Sequence, residues 1–98
     1  MYATVGIFSM DPAASAQQAR ELSDRIIPMV RVRPEFVSGY WNQDRVTSRS
    51  YAYLVWQSEA AARSFAAMVE ANASGRAAFG VHLESIAVVE VLASAVAL

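Results

Sequence analysis

The chain has 98 residues, 55% of them apolar, with eight arginines, no lysine, nine acidic residues and a net charge of −1. That length bounds a single domain over residues 1–98, and the near-neutral charge argues against a sequence-independent grip on nucleic acid. Without cysteine or lysine there is no disulfide, no thiolate nucleophile, no cysteine metal site and no Schiff-base lysine.

In chain order, residues 2–8 read as a first strand, with Ala3, Val5 and Ile7 alternating against Tyr2, Thr4, Gly6 and Phe8. Asp11-Pro12 is an N-cap followed by proline at the first helical position. Ala19, Leu22, Ile26, Met29 and Val30 then recur at three- and four-residue steps as one apolar stripe, with Gln17, Gln18, Arg20, Glu21, Asp24 and Arg25 on the wetter side. Pro28 cannot bond the Asp24 carbonyl and predicts a kink or break, and Pro34 ends the element.

A second strand is expected from Phe36 to about Asn42, with Phe36, Ser38 and Tyr40 on one face and Val37, Gly39 and Trp41 on the other. The polar turn Gln43-Asp44-Arg45 leads into a third, from about Ser48 to Trp56. There Arg49, Tyr51, Tyr53 and Val55 share one side, and Ala52, Leu54 and Trp56 the other. Ser58 caps a second helix with Ala61, Phe65, Met68 and Val69 inward, and Ser74-Gly75 reads as its stop. Residues 76–81 fit either a short helical turn or a loop. A fourth strand is expected from about His82 to Leu92, and the small apolar tail from Ala93 to Leu98 would extend it across a dimer interface.

The order β-α-β-β-α-β predicts an α+β, ferredoxin-like fold, a four-stranded antiparallel sheet with both helices on one face. Tyr2, Phe8, Tyr40, Tyr51 and Tyr53 are expected to make the bare face apolar as well, which predicts a homodimer covering it. Glu84 and Glu90 interrupt the richest apolar run, so no stretch reaches the ~20 residues of a membrane span. Met1-Tyr2-Ala3-Thr4 lacks the basic and apolar regions of a signal peptide, and a cytoplasmic protein is expected.

Several segments carry a resemblance: the opening Met1-Tyr2-Ala3, the helix end Ile27-Pro28-Met29, Pro34-Glu35-Phe36-Val37-Ser38-Gly39, and Val55-Trp56-Gln57-Ser58-Glu59-Ala60. Over nearly its whole length the chain resembles the antibiotic biosynthesis monooxygenase-like proteins of the dimeric α/β-barrel superfamily. Those proteins usually have glycine where this chain has Glu35. The resemblance implies two sheets packed face to face into a barrel, and a small cavity between each sheet and its helices. It implies a cofactor-independent monooxygenase acting on a small aromatic molecule, a phenol, quinol or polyketide-like compound. The alternative within the same superfamily is a non-catalytic ligand-binding or structural homodimer, and fold alone does not choose between them.

His82 is the only histidine, so a histidine metal triad is excluded; beside Glu84 it is a candidate general acid or base. Arg49, pointing with the tyrosines, is the candidate cation for a developing phenolate. Phe8, Trp41, Tyr51, Tyr53, Phe65 and Met68 are the candidate substrate-binding residues, though for any single aromatic the favoured reading is core and interface. No metal site and no cofactor are expected. The haem-degrading relatives carry a histidine late in helix two and an asparagine on strand one; here Phe65 to Gly75 holds no histidine and strand one no asparagine. Arg49 to Trp56 also falls close to an RNA-recognition pattern in which Tyr51 and Tyr53 would stack bases. The charge balance, Ser50 in place of glycine and the residue order of strand one speak against it.

Overall fold

Asp11 ends the first strand and starts the helical layer. In the computed structural model, which describes residues 1–98, strand β1 spans Tyr2–Met10, and Asp11 then accepts the Ala13 N–H at 3.0 Å. Pro12 opens a 3-10 turn, Pro12–Ala14, where its missing N–H would have had no partner. Helix α1, Ser15–Glu21, passes through a π turn, Leu22–Ile26, into α2, Ile27–Arg31. The kink or break expected at Pro28 is replaced by that π turn. The Ile27 N–H bonds the Leu22 carbonyl five residues back, so the ladder is already widened where the proline ring enters.

Strands β2, Phe36–Asp44, and β3, Arg49–Trp56, form a hairpin; β2 runs two residues further than expected. Ser58 accepts the Ala61 N–H and caps α3, Glu59–Ala71. The stop expected at Ser74-Gly75 falls earlier. Asn72 closes α3 (φ −97°, ψ 31°), and Gly75 lies inside a further short helix, α4, Ala73–Ala77. The glycine in the left-handed region is Gly80 (φ 69°), just before β4, Val81–Glu90. Val91 still donates to the Met1 carbonyl at 2.9 Å, and residues 93–98 have no regular structure.

The four strands lie in the order β2-β3-β1-β4, every neighbouring pair antiparallel, with the helices on one face: a ferredoxin-like α+β fold. Thr4 pairs with Leu54 and Gly6 with Ala52, and the Trp56 indole N–H donates to the Thr4 hydroxyl at 3.3 Å inside the core. This puts the even-numbered positions of β1 and β3 under the helices. The core is Val30, Leu54, Trp56, Ala62, Phe65 and Val69. Trp56 is its hub, with ring centroids 4.9 Å from Phe65 and 5.4 Å from Phe36.

Three aromatic residues expected on other faces are found here. Tyr2 and Phe8 pack against this core and not on the bare face, because they share the parity of Thr4. Phe36 joins them through a bulge between Phe36 and Ser38, which breaks the alternation that had grouped it with Tyr40. Tyr40, Tyr51 and Tyr53 do lie on the helix-free face, 71%, 36% and 39% exposed in the single chain. No helix is long and apolar enough to cross a membrane.

Candidate ligand cavity

A cavity of about 560 Å³ separates the sheet from α1, the π turn and α3. Its floor is low because Gly6 and Ala52 face each other across the central strands. A Cβ on Gly6 would come within 2.9 Å of the Phe8 ring, which leans back over that floor. Leu22, Ile26 and Met29 line it from the helical layer, Leu22 and Ile26 at the two ends of the π turn. Trp41, from β2, and Phe65 and Met68, from α3, supply the side walls.

Of the candidate substrate-binding residues, the fold therefore gathers Phe8, Trp41, Phe65 and Met68 around one cavity. Phe65 and Met68 are steadied from outside by Arg33, whose guanidinium stands 5.5 Å from the Phe65 ring centroid while Nη1 lies 3.4 Å from Met68 Sδ. Tyr51 and Tyr53 point from the opposite face of β3, away from the cavity, because they alternate with Ala52 and Leu54. Arg49 shares their face, where its Nε donates to both Glu84 oxygens at 3.0 and 3.2 Å. His82 pairs with Ser9 and borders a separate recess of about 370 Å³ with Glu70 and Arg76. Neither candidate catalytic residue lines the main cavity.

The cavity has polar groups that the sequence reading did not single out. Arg76 lines it from α4, its guanidinium 5.8 Å from the Phe8 ring centroid and Nη1 donating to the Val69 carbonyl. Its Nε is buried without a hydrogen-bond partner, and burial pushes its pKa below the ordinary arginine value. Glu21, the one carboxylate on the lining, is paired with Arg25 at 2.6 Å. Gln18 is buried on the cavity side although it was expected on the wet face. Its spacing held the signal, since Gln18 stands four residues before Leu22 in the inward stripe. Arg76 had no comparable signal, because a five-residue helix carries no readable period.

The lining contains no histidine, cysteine or tyrosine, and no group of three or more metal-ligating His, Cys, Asp or Glu side chains comes together anywhere in the fold. An axially ligated haem does not fit these residues. The only imidazole lies outside the cavity, and the Met68 sulfur is already engaged by Arg33.

No family model matches the sequence, and no curated protein matches it either. Solved structures share its fold. One, from Deinococcus radiodurans and provisionally described as an antibiotic biosynthesis monooxygenase, superposes with a TM-score of 0.75 at 17% identity, over 100% of this chain and 98% of the other. A variant of MhuD with two manganese protoporphyrin IX molecules per active site gives 0.75 at 16% identity, over 99% and 100%. The Streptomyces coelicolor monooxygenase ActVA-Orf6, in complex with nanaomycin D, gives 0.67 at 19% identity, over 98% and 91%.

Proposed function

We propose that this chain, which has the fold of antibiotic biosynthesis monooxygenase-like proteins, binds a small planar aromatic molecule in the sheet–helix cavity and oxidises it with dioxygen, without a bound cofactor. One observation carries the reading: an apolar cavity of about 560 Å³, walled by Phe8, Trp41 and Phe65, has the half-buried Arg76 on its lining, with the guanidinium 5.8 Å from the Phe8 ring centroid. Such a site suits a phenol, hydroquinone or anthrone that must become an anion before it reacts with oxygen. Trp41 and Phe65 hold the ring, Arg76 stabilises the charge that develops on its oxygen, and Glu21 takes the proton. For an anthrone the overall change balances as a methylene and dioxygen giving a carbonyl and water. One oxygen atom enters the product and the other is reduced.

The helix-free face supports the other half of the reading. Tyr40, Tyr51, Tyr53 and Val89 leave an apolar patch that a second copy would cover, closing two sheets into a barrel. In the homodimer, Arg49, Tyr51 and Tyr53 belong to the interface.

A pair of variants separates the two sheet faces. Ala52→Leu fills the cavity floor and is expected to abolish formation of the quinone or anthraquinone product, followed by absorbance. Tyr51→Ala, on the opposite face, is expected to retain it. Full activity in Ala52→Leu would overturn the assignment of the cavity.

A further inference from the structure

We infer that Gln18 selects for ligands bearing a hydroxyl or N–H donor, an inference that rests on the cavity being the binding site. Gln18 is 8% exposed, and its Nε2 donates to the Asp11 carbonyl at 3.0 Å and to the Phe79 carbonyl at 2.9 Å. Two carbonyl acceptors decide which end of the amide is nitrogen, because an amide oxygen there would face two other oxygens. Oε1 is thereby fixed as an acceptor. It receives no hydrogen bond from the protein, yet it is not sealed off, since Arg76 Nε is the one buried side-chain atom both sealed and unpartnered. Gln18 lines the cavity, and the ligand's donor is assigned to this oxygen.

The backbone around this amide holds it still. The Asp11 N–H donates to the Gly80 carbonyl at 2.8 Å, and a Cβ on Gly80 would stand 2.7 Å from the Asp11 Cβ. The two segments can therefore close on each other only with glycine at that position. A ligand filling the cavity strips water from Oε1, and an acceptor that cannot turn away is costly to leave unpaired. A ligand with a donor avoids that cost, whereas its methyl ether does not. Phe79, which anchors Gln18, also donates its N–H to the Arg76 carbonyl at 2.9 Å. Gln18 is thereby tied to the same turn that Arg76 begins. The ligand class that fits is an aromatic bearing a hydroxyl or N–H donor.

The test is calorimetric binding of 2-naphthol and 2-methoxynaphthalene to the native chain and to Gln18→Met. The native protein is expected to prefer 2-naphthol by about tenfold or more, and the variant to bind the two nearly alike. Should Gln18→Met fail to fold, the Gln18 side-chain carbonyl ¹³C resonance of the native protein gives the same answer. It is expected to move on titration with 2-naphthol and to stay with the ether. Equal native affinities, a preference that survives in Gln18→Met, or an unmoved resonance would overturn the assignment to Gln18. Binding of neither probe would overturn the aromatic cavity itself, and this inference with it.

Discussion

Arg49 and Glu84 hold each other on the helix-free face of the sheet, Nε to Oε2 at 3.0 Å, across the intervening strand β1. Glu84 reaches Arg49 because β4 has a register shift beside it: Ile7 pairs with Ser85, the next pair is Phe8 with Leu83, and Glu84 is the extra residue. The pair leaves Arg49 committed to a carboxylate on the far side of the sheet from the cavity, while Arg76 lines the cavity with Nε unpartnered.

From this follows a contrast between two arginines. Arg76→Gln is expected to lower kcat by about 10²-fold with a smaller change in KM, since the lost charge acts on an anion that develops along the reaction. Arg49→Gln is expected to leave the kcat of the assembled protein near the native value. Steady-state kinetics on both variants checks this, and the reverse ranking would move the site to the other face.

The interface is tested by Tyr53→Asp. Tyr53 sits on β3 in the middle of the helix-free face, paired with Val5 on one side and Tyr40 on the other. A carboxylate buried there without a partner is costly. Sedimentation at micromolar concentration is expected to give twice the chain mass for the native protein and the single-chain mass for the variant. A native monomer would contradict the barrel.

Glu35 occupies the left-handed region (φ 66°) at the entry to β2, where the resembling family usually has glycine. Its carbonyl accepts the Gln57 N–H at 3.0 Å, so the conformation is held by β3 as well as by the turn. A side chain there costs about 1 kcal/mol, more if β-branched. Denaturant midpoints are therefore expected to rank Glu35→Gly at or above native and Glu35→Val about 1 kcal/mol or more below it. A glycine variant less stable than the valine one would refute the strain.

Thr4→Val keeps the shape of the core but removes the acceptor of the Trp56 indole N–H, both residues being 1% exposed. Leaving that donor unpaired is expected to lower unfolding free energy by about 1–3 kcal/mol. An unchanged midpoint would mean that the bond contributes nothing.

The fold was legible because its signals are periodic. Alternation along residues 2–8 and 49–56 and the stripe from Leu22 to Val30 are repeated over several residues, and tertiary packing did not override them. The bulge that brings Phe36 under the helices was not legible, since one extra residue in a strand has no signature of composition. The same holds for the π turn that absorbs Pro28. For the site, aromatic content pointed to Phe8, Trp41 and Phe65, and the helix stripe to Met68, but aromatic content pointed also to Tyr51 and Tyr53. Which strand parity faces the helices depends on partners such as Thr4 and Trp56, and the sequence does not name those partners.

The most direct measurement is oxygen uptake by protein free of flavin, haem and metal, presented with an anthrone such as dithranol. The expected result is one dioxygen consumed per carbonyl formed, faster than the uncatalysed reaction and suppressed in Ala52→Leu. Uptake no faster than background across anthrones, hydroquinones and phenols would contradict it.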